Sequence, residues 1–343
     1  MLTILLTILI FGVLILIHEL GHYLFARLFD VEIHEFAVGM GPKLLSRVSK
    51  KTGIRYSFRL IPFGGYVSME GEDGESENSR AFCNKATWKR MIITVAGAMM
   101  NLLLGVILTT IYVSTFDSYG TTVIAEVDKS VLSEYAQVGD QIIEIEGSNV
   151  YTATDLIYEI YRQGIEPVDV TILRDGKEIV IKDVQFPIVN DNGIASGTYD
   201  FKIYGTKKSA GEVCKQSFAQ VRLSCKMVYE SLWDLITGRY GAEAVSGPIG
   251  TGQVIGDAVE ADRETGSHSL LYLCAIITIN LGLFNLLPIP ALDGGRLFFQ
   301  FIELIRRKPI NRKYEGYVHA AGMVLLLLLM VVITFKDIIK LFA

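Results

Sequence analysis

Two histidines and a glutamate near the start of the chain have the types and spacing of a catalytic zinc site. His18, Glu19 and His22 form the pattern H-E-x-x-H within the stretch ILIHELGHYL. If that stretch is helical, His18 and His22 lie on one face, where two neutral imidazoles can bind Zn²⁺. Glu19 would then lie close enough to act as a general base toward a water molecule on the metal. The pattern therefore predicts metal-assisted hydrolysis.

A third metal ligand is predicted near the opposite end of the chain, in the stretch NLGLFNLLPIPALDGGR. Pro288 and Pro290 break any helix there, and the freed backbone groups are tolerated in a membrane where they are covered or line a cavity. Asp293 follows this break. Alone it could be an ordinary helix-terminal carboxylate, but with the two histidines it completes the N, N, O set of an open catalytic site. We therefore expect one Zn²⁺ per chain, bound by His18, His22 and Asp293.

The hydrophobic pattern indicates a polytopic α-helical membrane protein. Half of the 343 residues are hydrophobic, and the mean hydropathy is +0.38. Spanning a bilayer takes about 20 apolar residues, and four stretches are long enough, namely 1–24, 91–116, 268–292 and 317–338. The first could instead be a signal peptide, but it has no basic start and no small-x-small cleavage site. Because it also leads directly into H-E-x-x-H, we interpret it as a transmembrane helix.

Basic residues orient the four predicted spans. Residues 25–90 and the short loop 293–316 hold eleven and six Lys or Arg residues, respectively. Residues 117–267 hold thirteen basic and twenty-four acidic residues, a net charge of −11 (13 − 24). Since positively charged loops stay in the cytosol, the two basic segments are predicted to be cytosolic and the acidic segment extracytoplasmic. The three predicted ligands then lie at one depth, near the cytosolic face.

Residues 25–90 are predicted to form short β-strands. Turns are indicated at Gly39, Gly41 and Gly64, and the stretch YSFRLI largely alternates apolar with polar side chains, which is typical of a hairpin. A hairpin so close to a membrane site could lie against the bilayer, or dip into it where protein covers its backbone. An ordinary cytosolic hairpin fits the pattern equally well.

The second span contains a polar residue, Asn101, after a cluster of small residues. Ala96, Gly97 and Ala98 allow close packing of helices. An amide inside a membrane either makes an interhelical hydrogen bond or contacts the catalytic centre. The sequence leaves both interpretations open.

Residues 118–186 are predicted to be an α+β domain inserted on the extracytoplasmic side. VIAEV and GDQIIEIEG are typical of strands, TATDLIYEIYRQG of an amphipathic helix, and VDVTILRDGKEIVIKDV of a hairpin that turns at Asp175-Gly176. This order resembles a PDZ domain of the bacterial, circularly permuted type, although the loop before Gly139 lacks the Ala-Gly-Leu sequence common there. Residues 187–267 are expected to add a β segment and an amphipathic helix, which either lies on the outer membrane surface or packs on the PDZ-like domain.

Taken together, these patterns resemble the site-2 protease family of intramembrane zinc metalloproteases. The resemblance is carried by H-E-L-G-H at His18–His22 and by N-x-x-P-x-P-x-L-D-G, which runs from Asn285 to Gly294. The first motif alone is moderately specific, whereas both motifs at opposite ends of four spans, with a PDZ-like unit between them, are highly specific. The resemblance covers essentially the whole chain and points to the bacterial regulators of sigma-factor signalling.

The resemblance implies an activity and its partners. Site-2 proteases cleave single-span membrane proteins within or near their spans, commonly after another protease has removed the extracytoplasmic part. The implied substrates are trimmed anti-sigma factors or remnant signal peptides, and nucleic acid is not among the implied partners. The implied location is the bacterial inner membrane, with the active site near the cytosolic face. Peptide ends could bind in the PDZ-like groove, although some relatives have two such domains.

The resemblance also assigns substrate contacts. The region from Phe36 to Tyr66 resembles a membrane-associated β-loop that meets substrate as an added strand, which favours the membrane-associated arrangement of residues 25–90. The substrate-binding residues predicted on this basis are Asn285, Pro288, Pro290, Asn101, Gly39 and Gly41.

Three other classes of protein could combine these features. A metal transporter would also place histidine and carboxylate in the membrane, but it would usually need ligands across the bilayer, and here they gather at one depth. A catalytically inactive scaffold would lack Glu19 or a ligand, and none is missing. A soluble-type metalloprotease with a membrane anchor would keep H-E-x-x-H outside the apolar span. We therefore favour an intramembrane zinc endopeptidase.

Overall fold

The computed structural model describes residues 2–72, 74–127, 130–191, 194–238 and 247–342. The chain divides into two compact units, of which one comprises Met1–Leu108 with Cys225–Ala343 and the other Thr109–Ser224. The first unit contains the predicted metal ligands. The second contains the region predicted to be PDZ-like.

Four helices are long and apolar enough to cross a membrane, which confirms the four predicted spans. The helices of the described residues are α1 (Leu2–Leu28), α2 (Thr87–Ser114), α3 (Ala153–Gln163), α4 (Ala210–Thr237), α5 (Pro248–Thr265), α6 (Ser269–Leu286), α7 (Asp293–Arg306) and α8 (Arg312–Phe342). The candidate spans are α1, α2, α6 and α8. On α8, Leu325, Leu328 and Val332 are exposed, as expected for a face that lipid covers.

Two segments form helices that the sequence did not predict. Residues 293–316, expected to be a loop, contain α7. Residues 248–265, within the predicted segment 187–267, form α5, a helix beyond the one amphipathic helix expected there. Pro248 occupies the first turn of α5, where its missing N–H costs nothing, and Gly266 ends the helix with a left-handed φ of 67°. Local end signals therefore define α5 although its interior is rich in glycine.

The helices α1 and α2 cross at two glycines. A Cβ at Gly21 would lie 2.3 Å from the Ala96 carbonyl oxygen, and a Cβ at Gly97 would lie 2.4 Å from His22 Nε2. Because neither position carries a side chain, the two helices can approach closely, as small residues commonly allow in membranes. The cluster of small residues on α2 thus lies at the crossing that carries the histidines.

A bent antiparallel sheet of β1 (Ile33–Val48) and β2 (Arg55–Met69) confirms the predicted hairpin. Both strands bend near their middle, where Gly39, Gly41 and Gly64 have φ angles of 86°, 81° and 88°. These left-handed values are unstrained only for glycine. The predicted turns at these glycines are therefore bends inside continuous strands.

The bends divide the sheet into four segments. Glu35–Val38 pairs with Gly65–Ser68 on one side and with Arg55–Phe58 on the other, and Arg55–Phe58 pairs in turn with Leu45–Val48. Gly65–Met69, here named the edge segment, therefore has one side that pairs with no strand among the described residues. Apolar side chains of the sheet, α1 and α2 share one buried cluster, which includes Phe36, Val67, Ala26 and Ile93.

The third span breaks where its prolines predict. The helix α6 ends at Leu286, and α7 begins at Asp293. A Cβ at Gly294 would lie 2.1 Å from the Leu287 carbonyl oxygen, and one at Gly295 would lie 2.5 Å from that of Ile289. The glycine pair after Asp293 therefore lets α7 start directly against the broken backbone.

The second unit contains a sheet in the order β10-β3-β4-β6-β7, with β5 paired to β4. Its strands are β3 (Ser118–Glu126), β4 (Gln141–Ile145), β5 (Ser148–Asn149), β6 (Val168–Arg174), β7 (Lys177–Val184) and β10 (Lys202–Lys207); β8 (Ile188–Asp191) and β9 (Ile194–Gly197) form a separate hairpin. The core includes Ile124, Ile142, Ile160 and Ile172, all fully buried.

The helix α3 and the turn between β6 and β7 lie where the sequence predicts them, but the sheet extends past the predicted end of the PDZ-like domain. Thr152 caps α3 in a reciprocal capping box with Asp155. Asp175 and Gly176 turn the β6–β7 hairpin with positive φ angles of 49° and 75°. The sheet continues through β10, beyond the predicted end of the domain at residue 186, because β10 pairs with β3 along its length.

Candidate active site

Three potential metal ligands converge in the first unit, and they are the one such cluster among the described residues. His18 and His22 lie one turn apart on α1, and Asp293 is the first residue of α7. The two Nε2 atoms are 3.3 Å apart. Asp293 Oδ2 lies 3.1 Å from His18 Nε2 and 3.2 Å from His22 Nε2. The fold therefore brings together the ligands predicted from opposite ends of the chain.

The three atoms fit a tetrahedral zinc ion. With metal–ligand bonds of about 2.0–2.1 Å, atoms at the corners of a tetrahedron lie about 3.3 Å apart, close to the separations in this cluster. Asp293 Oδ2 is buried and has no hydrogen-bond partner, so its lone pairs are available. Two nitrogens and one oxygen also leave the fourth position open for water, as a catalytic site requires.

A backbone carbonyl on α2 orients His22. Its Nδ1 lies 2.8 Å from the Ile93 carbonyl oxygen. Since a carbonyl oxygen can only accept, Nδ1 carries the hydrogen and Nε2 presents its lone pair to the metal position. Such contacts behind a metal ligand fix both its tautomer and its ring orientation.

Asn101 performs the corresponding role behind His18. Its side-chain amide is fully buried, and its Nδ2 lies 3.3 Å from His18 Nδ1. Metal binding through Nε2 requires a hydrogen on Nδ1, so the amide oxygen is the group suited to face it. The two ends of the amide exchange by a 180° rotation, and the exchange gives the buried Oδ1 the partner that it otherwise lacks. The sequence left open whether Asn101 makes an interhelical hydrogen bond or contacts the catalytic centre. A contact between α2 and His18 on α1 is consistent with both.

Glu19 faces a cavity of about 280 Å³ that also contains the three ligands. The edge segment forms an adjoining wall: a Cβ at Gly65 would lie 3.0 Å from Glu19 Cγ. Val67, in the edge segment, lines the same cavity as Glu19. Glu19 therefore lies between the metal ligands and a strand edge, where a general base toward bound water and an extended peptide could meet.

An ion pair joins two walls of this cavity. Arg296 Nη1 lies 2.7 Å from Glu72 Oε1, and both residues line the cavity. Sequence reasoning did not select Arg296, Glu72 or the edge-segment residue Tyr66, which also lines the cavity. A signal existed for Arg296, which follows Asp293 by three residues and so shares its helix face.

Several predicted substrate-binding residues lie outside the cavity lining. Asn285 is in the last turn of α6, and Pro288 and Pro290 lie in the connection to α7. Gly39 and Gly41 lie at the bend of β1. None of these five lines the cavity that contains Glu19, so their contact with substrate remains a prediction.

Asn101, also predicted as a substrate contact, lies outside that cavity lining as well, and its contact with substrate remains a prediction. It is fully buried. Its side chain lies behind His18 because α2 crosses α1 closely.

Comparison with known proteins identifies relatives along the whole chain. Residues 6–329 match the model of peptidase family M50. A Clostridium perfringens protein with a zinc-metalloprotease name is 36% identical over 334 residues, which cover 96% of each chain. Zinc metalloprotease RasP of Bacillus licheniformis and regulator of sigma-W protease RasP of Bacillus subtilis are each 30% identical, and 99% of each chain is covered.

Proposed function

The chain belongs to peptidase family M50, and from that membership we propose that it cleaves single-span membrane proteins within or near their membrane segments. The protein is a zinc metalloprotease of the membrane-embedded site-2 type. We further propose His18, His22 and Asp293 as the zinc ligands and Glu19 as the general base. The observation that carries this proposal is the ligand triangle, in which two histidines on the candidate membrane span α1 meet Asp293 at the start of α7.

The proposed reaction begins with an unwound substrate, because a peptide bond inside a helix is shielded from attack. Gly65–Met69 offers the freed backbone a strand edge next to Glu19. When bound, zinc polarises the scissile carbonyl and lowers the pKa of a water molecule. The Glu19 carboxylate accepts the proton of that water and delivers it to the departing amine. No covalent intermediate with the protein is required.

The proposed membrane orientation follows from charge. Both strongly basic segments, 25–90 and 293–316, would be cytosolic, and the acidic segment 117–267 would be extracytoplasmic. This arrangement puts the active site near the cytosolic face and the PDZ-like unit on the other side of the bacterial inner membrane.

The proposed substrates are anti-sigma factors that another protease has already trimmed, together with remnant signal peptides. The name of the Bacillus subtilis relative, which regulates sigma-W, supports the first class. The PDZ-like unit would bind substrate ends or exclude untrimmed proteins. Comparing the membrane proteomes of cells with wild-type enzyme and with Glu19→Gln would identify the substrates, because trimmed fragments should accumulate in the variant.

Purified enzyme tests the residue assignments. Glu19→Gln should retain one zinc per chain and lose cleavage of a single-span substrate, because the amide cannot accept the proton. Asp293→Ala should lose zinc as well as activity, since it removes one of three ligands. Cleavage by Glu19→Gln at the wild-type rate would refute the role of Glu19, and full zinc content in Asp293→Ala would refute the ligand set.

A further inference from the structure

A network of buried charge ties together the sheet next to the active site. Glu35 is 7% exposed and accepts hydrogen bonds from three donors. Ser57 Oγ donates at 2.5 Å, Arg59 Nη2 at 3.0 Å and Lys43 Nζ at 3.1 Å. These donors come from both strands, so one carboxylate links β1 with β2.

Arg59 extends the network to the edge segment. Its Nη2 also donates to the Tyr66 hydroxyl, and its guanidinium carbon lies 5.0 Å from the centre of the Tyr66 ring. Its Nη1 donates to the Gly41 carbonyl oxygen at 2.7 Å. Glu35, itself in one segment, and Arg59 together therefore link three of the four segments of the sheet and one of its bends.

Specific interactions are needed to fix the register of this sheet. Strands rich in glycine and exposed on both faces specify register weakly, and a slip by one residue moves every side chain to the opposite face. Here Gly39, Gly41 and Gly64 interrupt the strands, and Leu45 and Phe58 are exposed. Burial of Phe36 and Val67 favours one register in part of the sheet, but Gly64 and Gly65, where the edge segment begins, have no side chains that could contribute to it.

Stability alone is a poor explanation for this network. Buried ion pairs usually stabilise a fold no more than apolar side chains of the same volume do, because of their desolvation cost. Arg59 Nε is moreover buried without a hydrogen-bond partner, which adds to that cost. Fixing a register is the best-attested use of buried polar groups.

The register of the edge segment determines what faces the catalytic base. Gly65 fits against Glu19 because it has no side chain, and Tyr66, its neighbour, lines the catalytic cavity. A slip by one residue would bring the Tyr66 position against Glu19. It would also shift any peptide paired to this edge along the cavity.

We propose that Glu35 and Arg59 are positioning residues that fix the register of the edge segment and thereby select which substrate peptide bond lies at Glu19. This inference rests on the proposed function, in which substrate pairs with the edge segment. Neither residue contacts the metal ligands in the structure, so both act through Tyr66 and the edge segment.

The test maps the cleaved bond with the zinc-loaded, full-length enzyme in lipid vesicles. Glu35→Gln and Arg59→Gln should each lower kcat/KM on the order of 10- to 100-fold, as misplacement by about 1 Å does. Mass spectrometry of the products should reveal new cleavage one or two residues from the wild-type bond. Zinc should remain at one per chain, and the double variant should be little worse than either single variant, because both remove one network.

Two further variants keep the result interpretable. Tyr66→Phe removes only the hydroxyl that accepts from Arg59, and it should shift cleavage in the same way if the charge variants fold poorly. Lys50→Gln, which removes an exposed charge from the turn of the same sheet, should leave both rate and bond unchanged. An unchanged cleavage position in well-folded Glu35→Gln, Arg59→Gln and Tyr66→Phe would overturn the inference, even if the rate fell.

Failure of the proposed function would look different. It would appear as wild-type enzyme that does not cleave the membrane segment, or as Glu19→Gln that does. Wild-type cleavage that depends on Glu19, together with an unchanged bond in the network variants, would refute only the positioning role.

Discussion

Replacing Gly97 with alanine should remove zinc from the active site. The new Cβ would lie 2.4 Å from His22 Nε2 and 2.8 Å from His18 Cε1. Ordinary contacts begin near 3.4 Å, so His22 Nε2 would have to move by about 1.0 Å (3.4 − 2.4). A metal–ligand bond tolerates displacements of only about 0.2 Å. One methyl group therefore suffices to break the ligand geometry without changing any polar group.

A chelator titration with zinc quantified by mass spectrometry measures this effect. Displacing a ligand should weaken zinc binding by at least the 10- to 100-fold typical of losing an outer-shell partner, and kcat/KM should fall with it. Gly105→Ala is the matched control on the same helix: its Cβ would meet the buried Ile279 Cγ1 at 2.5 Å, so it should disturb the packing of α2 away from the metal ligands and leave zinc affinity unchanged. Wild-type zinc affinity in Gly97→Ala would refute the ligand geometry described here.

Three other perturbations have defined outcomes. Asn101→Leu should weaken zinc binding about 10- to 100-fold by removing the partner of His18 Nδ1; unchanged affinity in the chelator titration would contradict that role. Gly294→Ala should lower both the unfolding temperature and the zinc content, because its Cβ would lie 2.1 Å from the Leu287 carbonyl oxygen; a fully metallated variant would show that α7 can shift freely. Burial raises the pKa of Glu35, but its hydrogen bonds outweigh that effect and lower the pKa from 4.5 to about 2. Its contribution to stability is thus complete above about pH 4.5 and declines toward pH 2. The difference in unfolding temperature between wild type and Glu35→Gln should be constant near neutral pH and shrink below about pH 4.5; the opposite trend would contradict the network.

The sequence sufficed for features with strong local signals. Long apolar runs predicted the four spans, and Pro288 with Pro290 predicted the end of α6. The spacing of His18 and His22 required only a helix to place both imidazoles on one side. Asp293 could be selected because it is the acidic residue directly after the broken span, and the charge pattern placed it at the depth of the histidines.

Features that depend on contacts between distant segments could not be predicted. Gly64 and Gly65 indicated a turn, yet the structure uses Gly64 as a bend and Gly65 as the point where the edge segment meets Glu19. The sequences of β1 and β2 do not indicate which segment lies at the edge of the sheet beside Glu19, because a glycine-rich strand permits several registers. The loop predicted after the third span contains α7, whose buried side includes the polar residues Gln300 and Glu303. These two meet α2 through hydrogen bonds with Thr94 and Arg90 at 2.9 Å and 2.6 Å, a polar packing that a hydrophobic pattern does not predict.

The most direct test of the account is the position of the cleaved bond in a single-span substrate. Purified enzyme and a trimmed substrate would be reconstituted in lipid vesicles with zinc, and the products sequenced by mass spectrometry. We expect cleavage within or at the cytosolic end of the substrate's membrane segment, and none with Glu19→Gln. Cleavage confined to a soluble part of the substrate, or cleavage that persists with Glu19→Gln, would contradict it.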